Sequence, residues 1–87
     1  MFFYVYILQS KKDEKLYIGH THDLQKRLRE HNKGLSFATK GRKPFSLIYY
    51  EAYLNQEDAK DREKFFKTGW GRQYMKRVLK NYFKAKI

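Results

Sequence analysis

Apolar and polar positions change rhythm along the chain, and each rhythm predicts an element. From Phe2 to Leu8 (FFYVYIL) aromatic and β-branched residues follow one another without helix punctuation, as in a strand. Alternation puts Phe3, Val5 and Ile7 on one face and Phe2, Tyr4, Tyr6 and Leu8 on the other. Both faces are apolar enough to be covered, so this is a central strand with helices on at least one side. The polar run Ser10–Lys15 is a turn, and Leu16–Gly19 is a second short strand, the antiparallel partner of the first.

The next stretch switches to helical spacing. Thr21 is the expected N-cap, and Asp23 falls in the first turn, where negative charge suits the helix dipole. The helix runs to about Asn32, with Gly34 as its stop signal. Leu24 and Leu28, four apart, form its core contact, while Arg27 and His31, also four apart, share a neighbouring face. Leu35–Pro44 (LSFATKGRKP) is a basic loop with one helical turn around Phe37, and Pro44 is placed to precede a strand. That third strand, Phe45–Tyr53 (FSLIYYEAY), is the most β-prone window in the chain.

Asn55 begins the next helix, with Asp58 three residues on as a variant of the capping box, and the helix reaches about Thr68. Its inward stripe is Ala59, Glu63 and Phe66, while Lys60, Asp61 and Lys64 point away. A last helix, Arg72 to about Lys84, carries Tyr74, Met75, Val78, Leu79, Tyr82 and Phe83 as core and Lys76, Arg77, Lys80 and Lys84 as solvated charge. No repeat or linker divides the chain, which at 87 residues is expected to form one domain over 1–87.

Charge narrows the partner. A net charge of +11, from 20 Lys and Arg against 9 Asp and Glu, makes nucleic acid the first candidate. The alternative, cations that only keep a small domain soluble, accounts poorly for an excess that adds self-repulsion to the folded state. The chain has no cysteine, so neither disulfides nor a Cys-based zinc site hold the fold. FFYVYIL is far shorter than the ~20 apolar residues of a membrane span and lacks a basic leader, so no membrane association and a cytoplasmic location are expected.

Five side chains combine into a candidate site. Tyr6 and Tyr17 lie on the paired strands and face the first helix. A phenol ionises near pH ~10, so a tyrosine acting as general base needs nearby positive charge to lower it. Arg27 suits a phosphate through two parallel hydrogen bonds, and His31 can move a proton near neutral pH. Glu63 interrupts an apolar stripe, as a carboxylate holding a hard cation such as Mg²⁺ would do. The bland alternatives stay open: core tyrosines, a surface arginine, a helix-end histidine, and a salt-bridged Glu63. His20 and His22 form an H-x-H without a third ligand, and the chain has no P-loop, G-x-S-x-G or G-x-G-x-x-G.

With these residues in view, the chain resembles the GIY-YIG nuclease domain. Tyr4-Val5-Tyr6 stands where that family has GIY, and Tyr17-Ile18-Gly19 matches YIG; Arg27 and His31 on the next helix and Glu63 on a later one complete the order. The resemblance implies an α+β fold in the order β-β-α-(short α)-β-α-α, with a three-stranded antiparallel sheet flanked by helices. It also implies hydrolysis of DNA phosphodiesters with one divalent ion, Mg²⁺ or Mn²⁺. Tyr6 is then the general base, assisted by Tyr17 or His31. Arg27 neutralises the scissile phosphate, and Glu63 holds the metal that stabilises the leaving 3′ oxygen. Gly19 lets the backbone pass close to Tyr17 and the helix start.

Arg27, Lys40, Arg42, Lys67 and Arg72 are the expected nucleic-acid contacts. Small stand-alone members resemble the catalytic domain of the excision-repair nuclease subunit, which suggests DNA repair or recombination. Two positions depart from the pattern: Met75 stands where many members have Asn, and His20 where some have Lys. The rival reading is a nucleic-acid-binding module that keeps the fold and basic face but does not cut.

Overall fold

The first strand, β1 (Phe3–Ser10), is the middle of the sheet, and it is buried without a break from Val5 to Ser10. The computed structural model describes residues 1–85 of the expected domain. Around β1 lie β2 (Leu16–Thr21), α1 (Leu24–Asn32), β3 (Phe45–Tyr53), α2 (Gln56–Phe66), α3 (Gly69–Val78) and α4 (Lys80–Ala85). The sheet order is β2-β1-β3, with both pairings antiparallel. In the register Tyr6 faces Gly19 and Leu8 faces Tyr17. The fold is thus α+β, a three-stranded antiparallel sheet flanked by helices.

Alternation along β1 serves two apolar layers, which is why both of its faces had to be apolar. Val5 and Ile7 pack with Phe66 of α2 and Met75 of α3. Tyr6 and Leu8 pack on the other side with Phe45, Tyr17, Leu24 and Leu28, the side covered by α1. Behind the first layer, Glu51 accepts hydrogen bonds from Tyr49 (2.6 Å), Tyr53 (2.7 Å) and Arg62 (2.8 and 3.2 Å). The Arg62 guanidinium also lies over the rings of Phe65, Phe66 and Tyr74 at 4.7–4.9 Å, so this ion pair carries the seam between β3, α2 and α3.

Four local expectations need correction. Asp23, not Thr21, caps α1: β2 continues through Thr21, and the Asp23 carboxylate accepts the Lys26 N–H at 3.1 Å. Loop 35–44 has no helical turn at Phe37. It is a pair of hydrogen-bonded turns, Thr39 N–H to Ser36 O and Arg42 N–H to Thr39 O, because Ser36 and Thr39 turn inward. The α2–α3 junction residue Thr68 caps a helix that starts at Gly69 rather than Arg72, accepting from Gly71 N–H at 3.1 Å. That helix ends at Val78, which is 44% exposed instead of buried, and after Leu79 a separate α4 follows that carries no buried residue. Gly34 does end α1, with φ +77, a conformation that suits glycine.

Candidate active site

Gly19 sets the position of the first functional group. A Cβ there would sit 2.5 Å from the Tyr6 hydroxyl, 2.7 Å from its Cζ and 3.2 Å from Tyr17 Cε2. The Tyr6 ring therefore lies across the bare backbone of Gly19, leaning from β1 over the edge strand β2. The close approach belongs to Tyr6 more than to Tyr17, which sharpens the role expected for this glycine. Tyr17 packs beside it at a tilt, with ring centroids 6.4 Å from Tyr6 and 5.0 Å from His31.

His31 is fully buried at the end of α1, and both ring nitrogens are engaged. Nε2 lies 2.9 Å from the Tyr6 hydroxyl and Nδ1 2.6 Å from Thr39 Oγ1. One consistent arrangement has the phenol donating to Nε2 while Nδ1–H donates to the threonine oxygen. Burial, reinforced by the Arg27 charge, brings the imidazole down to about 4, so it is neutral at pH 7 and can accept a proton. Burial also pushes the Tyr6 hydroxyl up to about 12, against the opposing pull of Arg27. The expected lowering of this phenol does not occur, since desolvation outweighs the neighbouring cation.

Arg27 sits one turn before His31 at the rim. Its guanidinium donates to Glu30 at 3.0 Å and to Ser36 Oγ at 3.4 Å, and about a third of the side chain (33%) stays exposed. Ser36 and Thr39 thus tie loop 35–44 to both helix residues of the site. Neither stood out in the sequence, since small hydroxyl residues in a polar loop carry no periodic signal.

Glu63 arrives from the other layer. Its carboxylate accepts from His20 Nδ1 at 2.5 Å and from Lys67 Nζ at 2.6 Å. Burial alone would raise its pKa, but these two bonds outweigh it and hold the carboxyl below the usual glutamate value. Its negative charge is among the influences that raise Tyr6, so the two groups belong to one electrostatic site across the β2 edge. His20 shares the parity of Leu16 and Ile18 on β2, a pattern that already directs it toward the α2 side. Its neighbour in the H-x-H, His22, is exposed, and among the described residues no group of three His, Cys, Asp or Glu could hold a metal.

The remaining cations are spread over three places. Lys40 is exposed, its Nζ 5.2 Å from the Phe37 ring. Arg42 is committed to Asp13 at 3.0 Å and the Leu16 carbonyl at 3.3 Å, which pins the loop to the β1–β2 turn. Lys67 sits on Glu63, and Arg72 lines a groove of about 730 Å³ with Leu16, Ile18 and Met75, on the face of β2 opposite Tyr17. Met75, at the position of the family asparagine, is 2% exposed and a core residue.

A buried tyrosine-histidine pair, a rim arginine and an ionised glutamate thus lie on β1, α1 and α2 of one small α+β domain. The chain belongs to the GIY-YIG catalytic-domain family, a nuclease family, whose model matches residues 2–77. Among its relatives, a UPF0213 protein of Clostridium perfringens is 46% identical over 65 residues, covering 74% of this chain and 69% of that protein. A UPF0213 protein of Pediococcus pentosaceus is 41% identical over 80 residues, covering 91% and 83%. The solution NMR structure of a UPF0213 protein from Bacillus halodurans has a TM-score of 0.54 and 35% identity, covering 90% of this chain and 83% of that one. Those names state no reaction.

Proposed function

We propose that this protein is a divalent-metal-dependent endonuclease that hydrolyses DNA phosphodiester bonds. The observation that carries this reading is the buried hydrogen bond between the Tyr6 hydroxyl and a neutral His31, beside Arg27 and an ionised Glu63. A core that needed only packing has no use for a histidine poised to accept a proton from a phenol.

In this reading the two residues act in sequence. The Tyr6 oxygen takes the proton of the attacking water as its own proton passes to His31 Nε2, so no free tyrosinate is needed. Arg27 binds the scissile phosphate. Because the Arg27 charge helps depress His31, pairing Arg27 with a phosphate makes the imidazole a stronger base when substrate is present. Tyr17 packs its tilted ring against His31 and keeps the relay dry.

The residues present fit one hard cation at Glu63. The carboxylate is ionised, and the Lys67 ammonium, on a side chain 55% exposed, already occupies one cation position on it. When bound there, Mg²⁺ or Mn²⁺ supplies charge stabilisation for the leaving 3′ oxygen, with water and phosphate completing its shell. Lys40 and Lys67 are the contacts we assign to flanking phosphates. Arg72 extends that track behind β2, and Arg42 acts by fixing the loop. We assign the activity to the cytoplasm and to repair or recombination, where branched or unpaired DNA arises.

One observation favours the non-cutting module: with His20 and Lys67 on it, Glu63 also makes a complete structural ion pair. Incubation with supercoiled plasmid and branched and single-stranded DNA, in Mg²⁺, Mn²⁺ or EDTA, separates the two. Metal-dependent nicking is expected; salt-sensitive binding without cleavage in any metal would sink the nuclease reading. Among the described residues no helix is long and apolar enough to cross a membrane.

A further inference from the structure

Loop 35–44 is fastened from beneath and bare on top. Ser36 and Thr39 are 8% and 0% exposed and bond to Arg27 and His31. Farther along, Ser10 Oγ donates to the Arg42 carbonyl at 2.5 Å, Lys12 Nζ to Gly41 O at 3.1 Å, and Lys11 N–H to Pro44 O at 2.8 Å. Between these anchors Phe37 is 88% exposed, with Leu35 at 70% close by and Lys40 Nζ 5.2 Å from the Phe37 ring. An aromatic ring held in water on an ordered support contributes nothing to the core and loses little further freedom on contact.

From this arrangement we infer that Phe37 is a stacking platform for an unpaired nucleobase next to the scissile phosphate, and that it directs the protein to single-stranded or frayed DNA. The inference rests on the nuclease reading of the same site and adds its substrate preference. Position supports it: Phe37 directly follows Ser36, whose hydroxyl accepts from Arg27, so the exposed ring is carried by the same loop that is tied to the phosphate-binding arginine. Chemistry supports it as well. Every base has a π-face, a ring flanked by lysine matches a base flanked by phosphate, and the surrounding loop is basic. In a fully paired duplex the same face of the base is stacked within the helix and out of reach.

The test is fluorescence anisotropy of the full-length protein in EDTA, with a labelled single strand and the matching duplex, for wild type and Phe37→Ala, Phe37→Leu and Phe37→Tyr. Phe37 is 88% exposed, so all three variants should melt with the wild type. Ala and Leu are expected to lose about tenfold in affinity for the single strand and less than about twofold for the duplex, while Tyr keeps the wild-type preference. Equal losses on both nucleic acids, or Leu binding as well as Phe, would overturn the platform. Cleavage in Mg²⁺ is read separately: wild type that cuts without a Phe37-dependent preference contradicts the platform alone. Wild type that shows the preference without cutting contradicts the nuclease reading alone, and wild type that binds neither strand form contradicts both.

Discussion

The Tyr6 hydroxyl and His31 Nε2 lie 2.9 Å apart in a buried pocket over Gly19, and each is shifted in the direction that favours a neutral pair. Tyr6→Phe removes the proton carrier and leaves Nε2 without its partner. It should cost about 1–2 kcal/mol of stability and about 10²-fold or more in cleavage rate. Urea unfolding and plasmid nicking measured on the same sample check this. Cleavage close to wild type would mean that the water is activated elsewhere.

Stability should depend on pH through His31. Its folded value of about 4 lies below the ordinary 6.5, so between the two the unfolded chain binds a proton that the folded chain excludes. Stability is therefore complete above the ordinary value, and falls as pH drops toward the folded one. Between about pH 7 and about pH 5 the expected loss is about 2 kcal/mol, with the slope absent from His31→Gln. An equal slope in that variant would assign the dependence to other groups.

Gly19→Ala isolates geometry from chemistry. The new Cβ meets the Tyr6 ring, so the ring must swing away from its place over β2. Overpacking of this kind typically costs about 1–3 kcal/mol. The variant should fold, bind DNA within about twofold of wild type and lose cleavage by about tenfold or more, since the hydroxyl and not the basic surface is displaced. Equal losses in binding and cleavage would contradict that separation.

His20 orients Glu63 from β2, and its removal should reduce cleavage by about 10–100-fold, the usual effect of losing a group that positions a metal-holding carboxylate. His20→Asn keeps an N–H donor near the same place and should retain more activity than His20→Ala. If the two variants behave alike, the bond to Glu63 does not position it.

Periodicity disclosed the apolar skeleton well. The third strand occupies Phe45–Tyr53 as its β-branched and aromatic run predicts, Asn55 caps α2, and the two faces of β1 split as the alternation requires. Polar partnerships were legible only in part. Arg27, His31 and Glu63 stand out by type and spacing, but Thr39, Ser36 and the Arg62–Glu51 bridge arise from convergence of distant segments, which no local pattern encodes. The break at Leu79 was hidden for the same reason. Apolar spacing continues across it, and it is Tyr82 reaching Gln9 on β1, at 2.5 Å, that fits a redirected last turn.

Cleavage of end-labelled single-stranded DNA by wild type and Glu63→Gln, with Mg²⁺ and with EDTA, tests the central claim most directly. Gln keeps the shape and an acceptor for His20 but not the charge that would hold a cation. Wild type should cut in Mg²⁺ and stop in EDTA, while a folded Glu63→Gln falls by about 10²-fold or more, matching the several kcal/mol that a bound metal supplies. Undiminished cutting by wild type in EDTA, or by Glu63→Gln in Mg²⁺, would contradict the account.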